Sequence, residues 1–150
     1  MIRKAVLGDL ESIVSMEQTF GAEAFSKRSL RHFILSKNLV LVFIDPDTKC
    51  RIAYCIVLLR SDTSKAKLYS ITVAEEARGR GIGRKMLEAC EQYSRNFGRT
   101  EITLEVRANN QTAINLYQTF GFKFVKTLQS YYGDNQDGYY MKKAVDISLQ

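Results

Sequence analysis

LYSITVAEEARGRGIGRKM, residues 68–86, carries the reading of the whole chain. Its first seven residues are rich in β-branched and aromatic types and give way at once to polar AEEAR, the pattern of a strand running into a turn. RGRGIG at 78–83 then places Gly79, Gly81 and Gly83 within five residues, where a chain can turn tightly and approach a ligand without Cβ clashes. From Ile82 the apolar residues Met86, Cys90, Tyr93 and Phe97 recur at helical spacing. Arg84, Lys85, Glu88, Glu91 and Arg95 lie off that stripe, and Gly98 stops the helix. A glycine turn between a strand and a helix start leaves N–H groups unpartnered at the positive end of the helix dipole, which suits a pyrophosphate. Arg78, Arg80, Arg84 and Lys85 add full charges. The run lacks the GK[ST] of a Walker loop and does not meet the GxGxxG dinucleotide pattern with its acidic residue.

The charge balance points to the same place. Of the 22 basic residues, removing the four in the glycine loop leaves 18 against 16 acidic, so most of the formal +6 belongs to that loop. A small polyanionic ligand accounts for it with fewer assumptions than a nucleic-acid track, and no nucleic-acid partner is expected. The chain of 150 residues, 45% hydrophobic, is expected to form one domain over 1–150 with a sizeable core. No apolar run is long enough to span a bilayer and no charged-then-apolar leader occurs, so a cytoplasmic location without membrane contact is the default expectation. Cys50, Cys55 and Cys90 are odd in number and lack CxxC spacing, which argues against a disulfide framework or metal site and for small buried hydrophobes.

Outside the central stretch, Ile2–Val6 reads as a short edge strand. Asp9 is placed to cap a helix with the stripe Leu10, Ile13, Val14, Met16 and Phe20. A second helix starts near Ser26 and buries Leu30, Phe33 and Ile34; His32, the sole histidine, sits on its flank. LVLVFI at 39–44 and RIAYCIVLLR at 51–60 flank a turn containing Pro46 and form a hairpin. A strand over 100–107, a helix over 110–120 and strands over 122–131 and 138–145 complete the order βααβββαβαββ.

RGRGIG and LEVRANNQTAINLYQTFGF, Leu104 to Phe122, together resemble the two signatures of the GNAT acetyltransferases, and within that family the RimI type that acetylates protein N-termini. The resemblance covers nearly the whole chain. It implies an α/β (α+β) GNAT fold, with a single mixed, mostly antiparallel sheet flanked by helices, and acetyl-CoA as cosubstrate without a metal. It also implies positions for the cofactor: the pantetheine arm along Ile71, Thr72 and Val73, the pyrophosphate on amides of Arg80, Gly81, Ile82, Gly83 and Arg84, with Arg78, Gly79 and Tyr117 also in contact with it, and Asn110 near the second helix.

In ITLEVR, Ile102, Leu104 and Val106 alternate with Thr103, Glu105 and Arg107, so Glu105 faces away from the more apolar side. By position alone this is the solvated face of an edge strand; by resemblance Glu105 is the general base, acting through water. Tyr117 falls on the apolar stripe Ala113, Ile114 and Phe120 and reads as a core residue; by resemblance it is the general acid. The acceptor would be gripped between the loop Glu17 to Ser26, with Phe20 and Phe25, and a C-terminal hairpin bearing Tyr131, Tyr132 and Tyr139. Ala24 and Phe25 stand where RimI enzymes carry Pro-Trp, which favours a broader, archaeal-type N-terminal transferase over one confined to ribosomal proteins. The expected partners are protein N-termini, ribosomal proteins among them, met by a monomer or weak dimer through direct attack in a ternary complex. Two rivals stay open: a GNAT enzyme for lysine side chains or polyamines, and a non-catalytic CoA- or nucleic-acid-binding module.

Overall fold

The computed structural model describes residues 1–146. Its elements are β1 (Ile2–Lys4), α1 (Leu10–Glu17), α2 (Lys27–Leu35), β2 (Leu39–Ile44), β3 (Arg51–Leu58), β4 (Lys65–Val73), α3 (Ile82–Asn96), β5 (Glu101–Arg107), α4 (Gln111–Phe120), β6 (Lys123–Leu128) and β7 (Gly138–Ala144). This is the order the sequence predicts, in one mixed seven-stranded sheet ordered β1-β2-β3-β4-β5-β7-β6. Every neighbouring pair among the described residues is antiparallel except β4 and β5.

β3 is the spine of the core because helices cover both of its faces. Ala53, Cys55 and Val57 point into the cluster closed by α3 and α4, while Tyr54 and Ile56 point into the one closed by α1 and α2, and none of the five is exposed. Each fully buried Val or Ile of this kind contributes roughly 1.5–3 kcal/mol. α3 presents Ile82, Met86, Leu87 and Cys90 to the larger cluster, as its periodicity demands.

Several expectations need correction. Asp9 does not cap α1; it closes a 3-10 turn at Leu7–Asp9, where its buried carboxylate accepts from the Val6 N–H at 2.8 Å and from Arg3 and Arg51. Glu91 and Arg95 are buried rather than on a wet face, because the segment after β7 returns over α3: Glu91 accepts from Lys143 Nζ at 2.8 Å and the Asp146 N–H at 3.0 Å, and Arg95 donates to the Asp146 carbonyl at 2.7 Å. Phe20 leaves the α1 stripe because α1 ends at Glu17 and passes into a 3-10 segment broken at Gly21. Cys50 is exposed in the β2–β3 turn, whereas Cys55 and Cys90 are buried as expected. β5 is not an edge strand; it pairs with β4 on one side and β7 on the other.

Candidate active site

The parallel pairing of β4 and β5 runs only from Lys65↔Glu101 to Leu68↔Leu104, although both strands continue beyond it. The reason lies in β4. Opposite β3, Ile56 pairs with Ser70 and Val57 with Leu68, so Tyr69 is an extra residue, and a bulge of this kind bends the strand. A cleft therefore opens between Ile71–Val73 and Glu105–Arg107, and each face of the sheet carries one cavity beside it.

The cavity on the α3–α4 face, about 450 Å³, is lined by Ile71, Thr72 and Val73 of β4, by Arg78, Gly79, Gly81, Ile82, Gly83 and Arg84 of the glycine turn, and by Asn110 and Tyr117. The sequence-predicted residues thus converge, with one exception. Arg80 turns its guanidinium to Asp45 in the β2–β3 turn, at 3.3 Å, and its side chain is not part of the wall. Gly79 and Gly81 have φ of 80° and 74°, a left-handed backbone that a side chain would strain, and both face open space. Gly83 has another reason: a Cβ there would lie 3.0 Å from Leu116 Cδ2, so it permits close packing of α3 on α4. No side chain caps α3, unlike α2 and α4, which are capped by Ser26 and Asn110. The first N–H groups of α3 are thereby left to a ligand. Thr72 Oγ1 is a buried hydroxyl in this wall without a hydrogen-bond partner among the described residues.

The cavity on the α1–α2 face, about 290 Å³, is lined by Glu17, Phe20, Glu23, Phe25, Glu105, Arg107 and Tyr132, among others. Phe20, Ile71, Thr72, Asn110, Ala113 and Tyr117 line both cavities and form the neck between them. Glu105 Oε1 receives the Tyr131 hydroxyl at 2.8 Å and pairs with Lys67 Nζ at 2.8 Å. That hydrogen bond pushes the Tyr131 phenol up to about 12. Burial drives the Tyr117 phenol well above its ordinary value, so it keeps its proton. Glu17 is buried, which raises its carboxyl; it binds the Tyr54 hydroxyl and the Phe25 N–H and so ties the end of α1 to β3 and to the loop. Arg107 gathers Glu23 at 2.6 Å and Asp134 at 2.9 Å, with its guanidinium 4.3 Å from the centre of the Tyr132 ring.

Tyr139 is not brought to this cavity. Its register partner is Val106, and its ring packs edge-on against Phe124 beside Ile114 and Gln118, on the α4 side of the sheet. Tyr140 is the residue opposite Glu105. Lys67 and Arg107 escaped the sequence reading as site residues. The period-2 alternation from Glu105 could have found Arg107, whereas Lys67 depends on the parallel register.

The model of the Acetyltransferase (GNAT) family matches residues 10–122. The chain is a GNAT acetyltransferase. Over 95% of its length this GNAT is 33% identical to an N-alpha-acetyltransferase of Saccharolobus solfataricus, covering 91% of that protein. The ribosomal-protein-S18-alanine N-acetyltransferase of Escherichia coli superposes with a TM-score of 0.85 at 26% identity, over 97% of this GNAT and 94% of that chain. A spermidine N-acetyltransferase chimera from Vibrio cholerae and hSSAT superposes with a TM-score of 0.87 at 21% identity, covering 100% and 99% of the two chains. That last likeness is one of fold alone. No helix among the described residues of this GNAT is long and apolar enough to cross a membrane.

Proposed function

We propose that this enzyme transfers acetyl from acetyl-CoA to the N-terminal α-amine of proteins. The observation that carries the reading is the neck: a glycine-cradled cavity on one face meets an aromatic and acidic cavity on the other, with Tyr117 in both walls and Glu105 on the second side only. The uncapped start of α3, the left-handed Gly79 and Gly81, and the unpartnered Thr72 hydroxyl fit a diphosphate with a polar arm. Acetyl-CoA supplies the activated acyl group and a thiol leaving group. Amides of the α3 start hold its phosphates, with Arg78 and Arg84 at the rim and Ile71 to Val73 along the arm. Glu105 takes the proton from the incoming ammonium, directly or through water, and Tyr117 Oη, held protonated by burial, donates where the thiolate departs. Cys90 is unsuited to act as an acyl carrier, because burial pushes its thiol up to about 12, and Cys55 is raised in the same way.

The acceptor class follows from how the acids are used. Glu17 is bound to Tyr54 and the Phe25 N–H, Glu23 and Asp134 to Arg107, and Glu105 to Lys67, so a polyamine meets no unpaired carboxylate among these four. An α-amine needs little help. Its pKa of about 7.7–8.0, against about 10.4 for lysine, leaves roughly 300-fold more neutral nucleophile near pH 7. The similarity to an N-alpha-acetyltransferase along nearly the full chain supports the same choice. Ribosomal proteins fall within this substrate class. The test is mass spectrometry on peptides with a free N-terminus and an internal lysine. The label is expected on the α-amine, and blocking that amine removes most activity. A label chiefly on lysine, or spermidine outcompeting every peptide, overturns the reading.

A further inference from the structure

Glu105 has two carboxylate oxygens, and the structure treats them unequally. Oε1 is taken twice, by the Lys67 ammonium and the Tyr131 hydroxyl, each at 2.8 Å. Oε2 has no hydrogen-bond partner among the described residues. The two groups that hold Oε1 come from different directions, Lys67 from β4 and Tyr131 from the β6–β7 connection, and together they fix a side chain that would otherwise rotate. Neither Lys67 nor Tyr131 lines the cavity that Glu105 lines, so the two hold the carboxylate without forming the wall that an acceptor would meet. We propose that Lys67 is a positioning residue for the acetyl transfer: with Tyr131 it claims Oε1 of Glu105, holds the carboxylate in one orientation, and leaves Oε2 to receive the proton of the incoming amine. This rests on the reading of Glu105 as the general base.

The other groups facing Glu105 do not duplicate this role. Arg107, two residues along the same face of β5, is committed to Glu23 and Asp134. From β7, Tyr140 lies opposite in register, with Lys126 over its ring at 5.8 Å. From β4, Tyr69 packs on Phe25 and Phe33; from the β6–β7 connection, Tyr132 stacks on Arg107; from α1, Glu17 is bound to Tyr54. Lys67 is thus the one cation in contact with Glu105 among the described residues. Its side chain is 36% exposed and that of Glu105 is 16% exposed, so solvent screens the pair and Lys67 acts mainly by holding the carboxylate in place.

Without Lys67 only the Tyr131 hydroxyl holds Oε1, and the carboxylate is free to turn away from the neck. Lys67→Met is therefore expected to lower kcat a few-fold, with the KM for acetyl-CoA unchanged. Lys67→Arg restores kcat, and raising salt narrows the gap between wild type and Lys67→Met. In a Glu105→Gln background Lys67→Met should move nothing, which separates action through Glu105 from a loss of fold. Equal kcat for wild type and Lys67→Met, or an equal fold-loss in the Glu105→Gln background, overturns the proposal. So does a Glu105→Gln enzyme of wild-type rate. A label found on lysine side chains instead overturns the acceptor assignment alone, because kcat is read with whichever amine is accepted.

Discussion

Asn in place of Asp9 removes one charge from a site where that charge is fully used. The buried carboxylate accepts from Arg3 Nη1 at 2.8 Å, Arg3 Nη2 at 3.0 Å, Arg51 Nε at 2.9 Å and the Val6 N–H at 2.8 Å. Burial opposes ionisation, but Arg3, the Val6 N–H and Arg51 outweigh it and hold the carboxyl at about 2, against an ordinary 3.8. At about 1.36 kcal/mol per unit, the folded state favours the charged form by roughly 2.5 kcal/mol. Because the folded-state value is depressed, this stability is present above about pH 4 and drains away as the pH falls toward 2, with about half remaining at pH 3. Asp9→Asn should therefore cost roughly 2.5 kcal/mol at pH 7, less than the 3–5 typical of a broken buried pair, since both arginines are a third exposed and can rehydrate. Urea denaturation of both proteins between pH 7 and pH 3 reads the difference directly, and carboxylates common to both cancel. A gap as wide at pH 3 as at pH 7 would refute the charge argument and assign the effect to packing.

Gly81→Val forces a β-branched residue into φ of 74° at the cradle, so the rise in Tm produced by saturating acetyl-CoA should disappear, while wild type shows a rise that shrinks with salt. Glu105→Gln and Tyr117→Phe should each lower the single-turnover rate by about 10²-fold or more while keeping that thermal shift; near-wild-type turnover in either strips the residue of its assigned role. Tyr132→Ala should raise the peptide KM several-fold, whereas Tyr139→Ala, acting on the far face beside Phe124, should lower Tm and leave the peptide KM within about twofold.

The cradle was legible because strand, turn and helix follow one another within about thirty residues, so local pattern determines their relative placement. The face of β5 that carries Glu105 was legible for a similar reason, since alternation along a strand needs no knowledge of the neighbours, whereas its role as base came only from the resemblance. What failed depends on register or on distant partners. YY occurs at both 131–132 and 139–140, and only the β5–β7 pairing shows that Tyr140, rather than Tyr139, stands on the Glu105 side. Arg80 looked like a phosphate ligand until Asp45, 35 residues earlier, claimed it. Glu91 and Arg95 broke the amphipathic rule because chain far downstream covers them. The Tyr69 bulge has no local signature, yet it bends β4 away from β5.

The split that follows from that bend has a thermodynamic consequence. The sheet is a four-stranded leaf and a three-stranded leaf joined by four residue pairs, and both cavities open along the same parting line on opposite faces. Six residues line both cavities, so a ligand that displaces them from one face reshapes the other, and any such coupling is reciprocal: the factor by which one ligand alters the affinity for the other holds in both directions.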